Sequence, residues 1–460
     1  MIHSVVSTTT RAARSTSASI GPARRRALSS SSSTSRSRKP VFVDGARIPF
    51  VTSGTAYRNL LAVDLGRLAL RGLLNRNPEL DPKHIDYILY GTVIQESRTS
   101  NIAREAALGA GIPDSVPSHT ISQACISANQ AICNGAEKIM AGTADVVVAG
   151  GCETFSDLPI RLSKPMRSRL IDLGKAKKKG VTGLLGLLNG LRMKDISLET
   201  PAIANYTTGE VMGHSSDRLS GRFGISRSDQ DEFSLRSHQN AAKAHADGIY
   251  HEEIIPVNGS TEENGIKGNS TLEKLGTLRP AFVKPHGTHT AANSSFLSDG
   301  AAAALLASEG RALEMGLTPR SSLKSWTFMA LDPFEDLLLG PAFCAAKVLD
   351  DAGLTLKDID VFEIHEAFAG QVLSNLAAMN STEFAQKSMG RSEKLGEVPM
   401  EKLNVHGGSL SIGHPFGATG VRLMATATNR LHREGGRYAL VAACADGGLG
   451  HACIVERYDV

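Results

Sequence analysis

Aromatic residues make up only 5% of the 460-residue chain and tryptophan occurs once, whereas glycine occurs 45 times. A core so poor in rings must be filled by small and branched aliphatic side chains, which suits close packing of helices on sheets across many tight turns. No apolar run approaches the ~18–20 residues that a membrane-spanning helix needs. The six cysteines stand at 125, 133, 152, 344, 444 and 453, with no C-x-x-C pair and no zinc-finger spacing to histidine. That excludes a local zinc module, and no metal is expected. The H-E-x-x-H signature is missing, as are a Walker loop, a G-x-G-x-x-G after a strand pattern and a G-x-S-x-G elbow. Zinc-protease, nucleotide-dependent and α/β-hydrolase chemistry therefore have no footing.

Acidic residues are absent from positions 1–39; the first is Asp44. The same stretch holds seven arginines, Lys39 and the serine run Ser29–Ser33. An arginine- and serine-rich, acid-free leader reads as a mitochondrial transit peptide. Without its eight positive charges the net charge of +4 becomes −4. A mildly acidic body argues against general nucleic-acid binding, and in a reducing matrix its cysteines would be free thiols.

Three distant stretches carry groups suited to acyl transfer. Cys125 lies in Gln123-Ala124-Cys125-Ile126-Ser127, between a strand-like run and a strong helix pattern beginning at Ala128. A helix N-terminus there is expected to lower the thiol's pKa. His414 lies in Gly413-His414-Pro415-Phe416-Gly417-Ala418-Thr419-Gly420, and Cys444 ends an apolar strand before Ala445-Asp446-Gly447-Gly448. A thiol needs a base to become a nucleophile, and the glycines let backbone N–H groups approach an oxyanion. His365 follows another buried strand and is placed to donate a hydrogen bond to a developing negative charge. His406-Gly407-Gly408-Ser409 has the look of a lipase oxyanion loop, but no matching elbow accompanies it.

The body reads as a duplication. Leu70–Val93 and Ala345–Ala367 each give a helix, a turn and an apolar strand opened by Ile-Asp. Ala144–Gly151 and Tyr438–Cys444 are a second matching pair, each a β-rich run ending at a glycine turn. Helices alternating with wholly apolar strands predict an α/β fold of two halves, residues 40–317 and 318–460. Residues 156–285, within the first half, are polar with few strands and form an inserted loop region. There, Lys175–Gly180 is followed by the apolar stretch Val181–Leu191. A solvated lysine turn leading into an ordinary buried helix is the plainer reading of residues 175–194; contact with an anionic membrane is the other.

Taken together, these stretches resemble the thiolases, from Arg47-Ile48-Pro49 to Ile454-Val455-Glu456. Gly150-Gly151-Cys152-Glu153, Asn293-Ser294-Ser295 and Asp299-Gly300-Ala301 add to the match. His365 (most thiolases have Asn) and Met212-Gly213-His214-Ser215 make the chain most similar to the 3-ketoacyl-CoA thiolases that serve as β-subunits of mitochondrial trifunctional complexes. The resemblance implies two βαβαβαββ halves in five layers, α-β-α-β-α. It implies thiolytic cleavage of 3-ketoacyl-CoA in fatty acid β-oxidation, with coenzyme A as co-substrate and no tightly bound cofactor. Cys125 would be the nucleophile, His414 its base and an oxyanion donor, Cys444 the general acid/base and His365 an oxyanion donor. The N–H groups of Cys125 and Asp446 would form a second oxyanion site, and Met212 and Ser295 would line the CoA arm. Position 446 is usually glycine or another small residue in the family; Asp446 is a departure. A homodimer, an α-subunit carrying hydratase and 3-hydroxyacyl-CoA dehydrogenase activities, and a place on the matrix side of the inner membrane are also implied. Rival readings are an acetoacetyl-CoA thiolase or a condensing enzyme of the same fold, and a non-catalytic acyl-CoA or membrane-binding scaffold.

Overall fold

The computed structural model describes residues 37–459 apart from residue 203. Residues 1–36, where most of the predicted leader falls, lie outside the described residues. Arg38 already pairs with Asp145 at 3.2 Å, and the first strand starts at Pro40.

In the first half, the strand Tyr87–Gly91 pairs in parallel with Ser118–Ile121 and with Val146–Glu153. The antiparallel strands Ser298–Ser308 and Pro40–Arg47 follow on the far side of Val146–Glu153. In the second half, Val361–Ile364 runs parallel to Tyr438–Ala445. Antiparallel Leu449–Arg457 and Ser321–Ala330 complete that set. The two sets join at one edge through the pairs Val41–Ser322 and Phe42–Ser321.

Three separate apolar clusters account for the layers. One lies under the helices Ala62–Arg76 and Ile102–Ala110. One lies under Gly340–Ala352 and Ala369–Met379. The third is built around Ser127–Met140 and Thr419–Glu434, which pack together between the two sets of strands. Every residue of the alanine-rich strand Ser298–Ser308 is buried. With helices on both faces, small side chains let both layers approach closely.

The repeated Ile-Asp has the same task in both halves. The Asp86 carboxylate accepts the N–H groups of Asp145 and Val146 at 2.7 and 2.9 Å, at the start of the neighbouring strand. Asp360 accepts those of Arg437 and Tyr438 at 2.6 and 3.2 Å. Each thus satisfies backbone donors just outside the parallel ladder. The halves differ at one strand. The counterpart of Ser118–Ile121 is reduced to a single bridge, Phe362 to Leu403. Asn404, at φ +44°, replaces the missing ladder with its side chain. Its amide accepts from the N–H of Ile364 at 2.9 Å and donates to the Ile364 carbonyl at 2.8 Å.

Between the parallel strands and Ser298–Ser308, the regular structure of the inserted region is chiefly helical. It contains Lys164–Lys178, Gly180–Leu188, Met212–Arg222 and Arg227–Ala246, with one small ribbon, Arg161–Leu162 against Leu198–Glu199. The reading of Val181–Leu191 as an ordinary buried helix is corrected. Val181 and Leu185 are 72% and 61% exposed, and Ile171 on the preceding helix is 78% exposed. The helix pair touches too little of the body to bury this surface.

Candidate active site

The Cys125 turn forms because the chain reverses between the strand Ser118–Ile121 and the helix Ser127–Met140. Ala124 takes φ +45°, a left-handed conformation that is strained for a residue with a Cβ. Ser127 holds the turn: its hydroxyl donates to the Ala124 carbonyl at 2.7 Å and accepts from the N–H of Gln123 at 2.8 Å. Cys125 is the one cysteine of six that is not fully buried.

The His414 loop comes from the other half and enters through glycine. A Cβ placed on Gly151 would lie 1.8 Å from the Gly417 carbonyl oxygen, so no other residue fits there without moving the loop. The buried Glu153 carboxylate accepts from the N–H groups of Val93, Ile94 and Gly417 at 3.1, 2.9 and 3.1 Å. Burial pushes its pKa up to about 7, against the pull of those hydrogen bonds.

Cys125, His365 and His414 meet. Their ligand-capable atoms all lie within 4.8 Å of one another, and the two imidazole rings are 4.0 Å apart, tilted by 44°. Both histidines are buried, and the Nε2 atom of each has no hydrogen-bond partner. Their Nδ1 atoms are held differently. Thr419 Oγ1 gives its single proton to the Pro415 carbonyl at 3.0 Å, so it accepts from His414 Nδ1–H at 2.7 Å. That assigns His414 a free lone pair on Nε2, as a base requires. Ser409 Oγ accepts from Arg422 at 3.3 Å, and among the described hydrogen bonds its own proton has no acceptor other than His365 Nδ1 at 3.0 Å, so the proton is assigned to that contact. That puts the His365 proton on Nε2, as an oxyanion donor requires.

Arg422 is fully buried, donates to Ser409 at 3.3 Å and pairs with Glu363 at 3.3 Å. Burial, then the Arg422 charge, pushes the His414 pKa down to about 3. Burial, with the neighbouring His414 and Arg422, also holds His365 well below its ordinary value. Burial pushes the Cys125 thiol up to about 12, and the carboxylates of Asp446 and Glu153 push the same way. The expectation of a lowered thiol pKa is therefore corrected: desolvation outweighs the helix N-terminus. The resting pair is a neutral thiol and a neutral imidazole.

Cys444 is buried at the end of Tyr438–Ala445 and couples electrostatically to Cys125, which, after burial, raises its pKa further. The backbone N–H groups of Asp446 and of Cys125 itself act on the Cys125 sulfur and pull its pKa down, against the effect of burial. The Asp446 carboxylate turns to the inserted region, where Asn205 donates to it at 2.9 Å. Ser295 stands beside the site, its N–H on the Ala367 carbonyl at 2.9 Å. Met212 opens its helix and is half-buried against the cluster that holds Ala369–Met379 and Cys444. His406 stands apart, its ring nitrogen on Arg433 at 3.0 Å. Asn205, Ser409, Thr419 and Arg422 were not predicted. The one sequence signal was an arginine in the otherwise apolar Val421–Ala425 stretch.

The thiolase N-terminal domain profile matches residues 40–310 and the thiolase C-terminal domain profile matches residues 317–457. This chain belongs to the thiolase family. It is 54% identical over 423 residues to the mitochondrial trifunctional enzyme subunit beta of Mus musculus, covering 91% of this chain and 88% of that protein. It is 50% identical to a probable 3-ketoacyl-CoA thiolase of Caenorhabditis elegans, covering 97% and 99%. It is 44% identical to a 3-ketoacyl-CoA thiolase of Yersinia enterocolitica, covering 90% and 96%. Among solved structures, the Bacillus anthracis acetyl-CoA acetyltransferase matches with a TM-score of 0.77 at 31% identity, covering 92% of this thiolase and all of that chain. The thiolase fold expected from the sequence is borne out, and the chain is an acyltransferase.

Proposed function

We propose that this thiolase cleaves 3-ketoacyl-CoA with coenzyme A, giving acetyl-CoA and an acyl-CoA shortened by two carbons, in mitochondrial fatty acid β-oxidation. The observation that carries the reading is the meeting of Cys125 with two differently protonated histidines beside a second thiol. His414 Nε2 takes the Cys125 proton, and the sulfur attacks C3 of the substrate. The C2–C3 bond breaks, the acetyl-CoA enolate leaves, and Cys444 protonates its C2. The enolate oxygen is held by His365 Nε2–H and by the new N–H of His414. Coenzyme A then gives its thiol proton to Cys444 and attacks the acyl group on Cys125. The second tetrahedral oxyanion sits on the N–H groups of Cys125 and Asp446. As acyl-CoA leaves, Cys125 recovers its proton from His414. Neutral resting groups suit this cycle, since the thiolate forms only when a carbonyl is there to receive it.

Cys444 favours this reading over a condensing enzyme, whose sites typically pair one cysteine with histidines or with histidine and asparagine. The paired proton carriers favour it over a scaffold. Coenzyme A enters as co-substrate, with Met212 and Ser295 along its arm. The test is thiolysis across chain lengths with wild type and Cys125→Ala. Turnover that rises from C4 to C16 and vanishes in the variant supports the reading. Turnover confined to C4 marks an acetoacetyl-CoA thiolase, and CoA binding without turnover marks a scaffold.

The relatives' names support a mitochondrial setting and an α-subunit partner; the family resemblance supports hydratase and 3-hydroxyacyl-CoA dehydrogenase activities on that partner, and a homodimer. Among the described residues no helix is long and apolar enough to cross a membrane. Residues 175–194 combine Lys175, Lys177, Lys178 and Lys179 with exposed Val181 and Leu185. That composition supports peripheral contact with cardiolipin on the matrix side of the inner membrane. Deleting residues 181–188 should release the protein from cardiolipin vesicles; unchanged binding ends that idea.

A further inference from the structure

The local spacing of cysteine and histidine gave no metal motif, yet three segments far apart in the chain bring a metal-ligand set together. Cys125 Sγ and one ring nitrogen each of His365 and His414 lie within 4.8 Å of one another. The Nε2 atoms of both histidines are buried and unpartnered. Both Nδ1 atoms are fixed by hydroxyls, Ser409 at 3.0 Å and Thr419 at 2.7 Å. Imidazoles held at one nitrogen with the other free are the usual arrangement around a bound metal. The carboxylates of Asp446 and Glu153 act on Cys125 from nearby and oppose its negative charge, a field that favours a cation at the sulfur, while the Arg422 charge opposes one at the two imidazoles.

We propose that Cys125, His365 and His414 form an inhibitory site for a thiophilic divalent cation of the Zn2+ type, with the fourth position left to water. Tetrahedral bonds of about 2.0–2.3 Å need ligand atoms about 3.3–3.8 Å apart, a closure of roughly 1 Å from the resting arrangement. On binding, the Cys125 S–H bond breaks, a sulfur–metal bond forms, and one proton goes to solvent. His414 already offers a lone pair at Nε2. His365 moves its proton from Nε2 to Nδ1, where Ser409 Oγ rotates to accept it. Nothing is oxidised or reduced. The ion takes up both the nucleophile and its base, so an enzyme with free Cys125 is switched off and an acylated one is protected. The asparagine usual at position 365 in the family would not supply the third ligand, since a neutral amide is a poor partner for such a cation.

The inference is tested on the resting full-length enzyme with Co2+ as a spectroscopic probe, independently of turnover. One equivalent should give a sulfur-to-cobalt charge-transfer band and the intense visible bands of a four-coordinate ion. Zn2+ should displace it, with one proton released per ion in calorimetry. The band should vanish in Cys125→Ala and in wild type carboxamidomethylated at Cys125, so the outcome does not hang on one variant's folding. It should persist in Cys444→Ser, and Ser409→Ala should weaken binding about 10–100-fold. A weak six-coordinate spectrum overturns the assignment. So does a band that survives in Cys125→Ala, that disappears in Cys444→Ser, or that is bound equally well by His365→Asn.

Discussion

The Asn205 side-chain amide donates to the Asp446 carboxylate at 2.9 Å, joining residues 241 positions apart. Asn205 is buried, and its own oxygen accepts from the N–H groups of Thr207 and Thr208 at 3.0 and 3.1 Å, so it is held in one orientation. The Asp446 N–H can therefore face the Cys125 sulfur, whose pKa it lowers, while its carboxylate is held to one side. Asn205→Ala should release the carboxylate and move the pH profile of Cys125 alkylation upward. The loss in kcat/KM should be about fivefold, the value of one hydrogen bond of about 1 kcal/mol. Asp446→Gly alone should leave activity equal or raise it, and Asn205→Ala should then cost nothing in that background. An Asn205→Ala loss of equal size in both backgrounds would mean that Asn205 acts on the loop and not through Asp446.

His365 and Asn differ in size but share a donor. His365→Ala should lower kcat by about 10²-fold, as expected for removing one oxyanion donor. His365→Asn should recover most of that loss. Thiolysis kinetics with both variants check this; equal losses would show that the imidazole has a task beyond donation.

Cys444→Ser should lower thiolysis by about 10²–10⁴-fold, the usual contribution of a positioned acid or base. Alkylation of Cys125 should proceed at the wild-type rate in the same variant. Slower alkylation would indicate that Cys444 also shapes the nucleophile.

Glu153 titrates near neutrality because its pKa is raised to about 7. A carboxyl that is more basic when folded than when unfolded adds stability below its unfolded value, and that contribution is lost as pH rises through about 7. Glu153→Gln removes this dependence, at a pH-independent cost from one lost acceptor. The Tm difference should therefore shift in the variant's favour between about pH 5.5 and about pH 8.5. A difference that stays flat across that range would place the ionised form in the native state throughout.

Much of this was legible in the chain. His414 and Cys444 stood out because reactive groups sat among glycines, of which Gly417 and Gly448 pass close to other backbone, and Cys125 because small residues flank it between a strand-like run and a helix pattern. The Ile-Asp repeats marked the halves because each aspartate has the same neighbouring strand to terminate. What escaped reading depends on partners remote in sequence. Ser409 sets the tautomer of a histidine 44 positions away. Arg422 is paired with Glu363, 59 positions away. The direction of the Cys125 shift was misjudged because a helix N-terminus is visible locally, whereas burial is a property of both halves together. The exposed face at Val181 and Leu185 was likewise misread, since an apolar run does not say whether anything covers it.

The close approach of Gly417 to Gly151 has a consequence for how the molecule matures. The loop bearing His414 reaches Cys125 only by seating against strands of the first half, with room measured to less than a methyl group. A nascent chain with only its first half folded thus exposes a thiol that has no base. Appearance of fast Cys125 alkylation during refolding would report the docking of the halves, and Gly417→Ala, whose Cβ would meet the Cys152 and Gly91 carbonyl oxygens of the first half at 2.5 and 2.7 Å, should delay it while leaving each half's secondary structure intact.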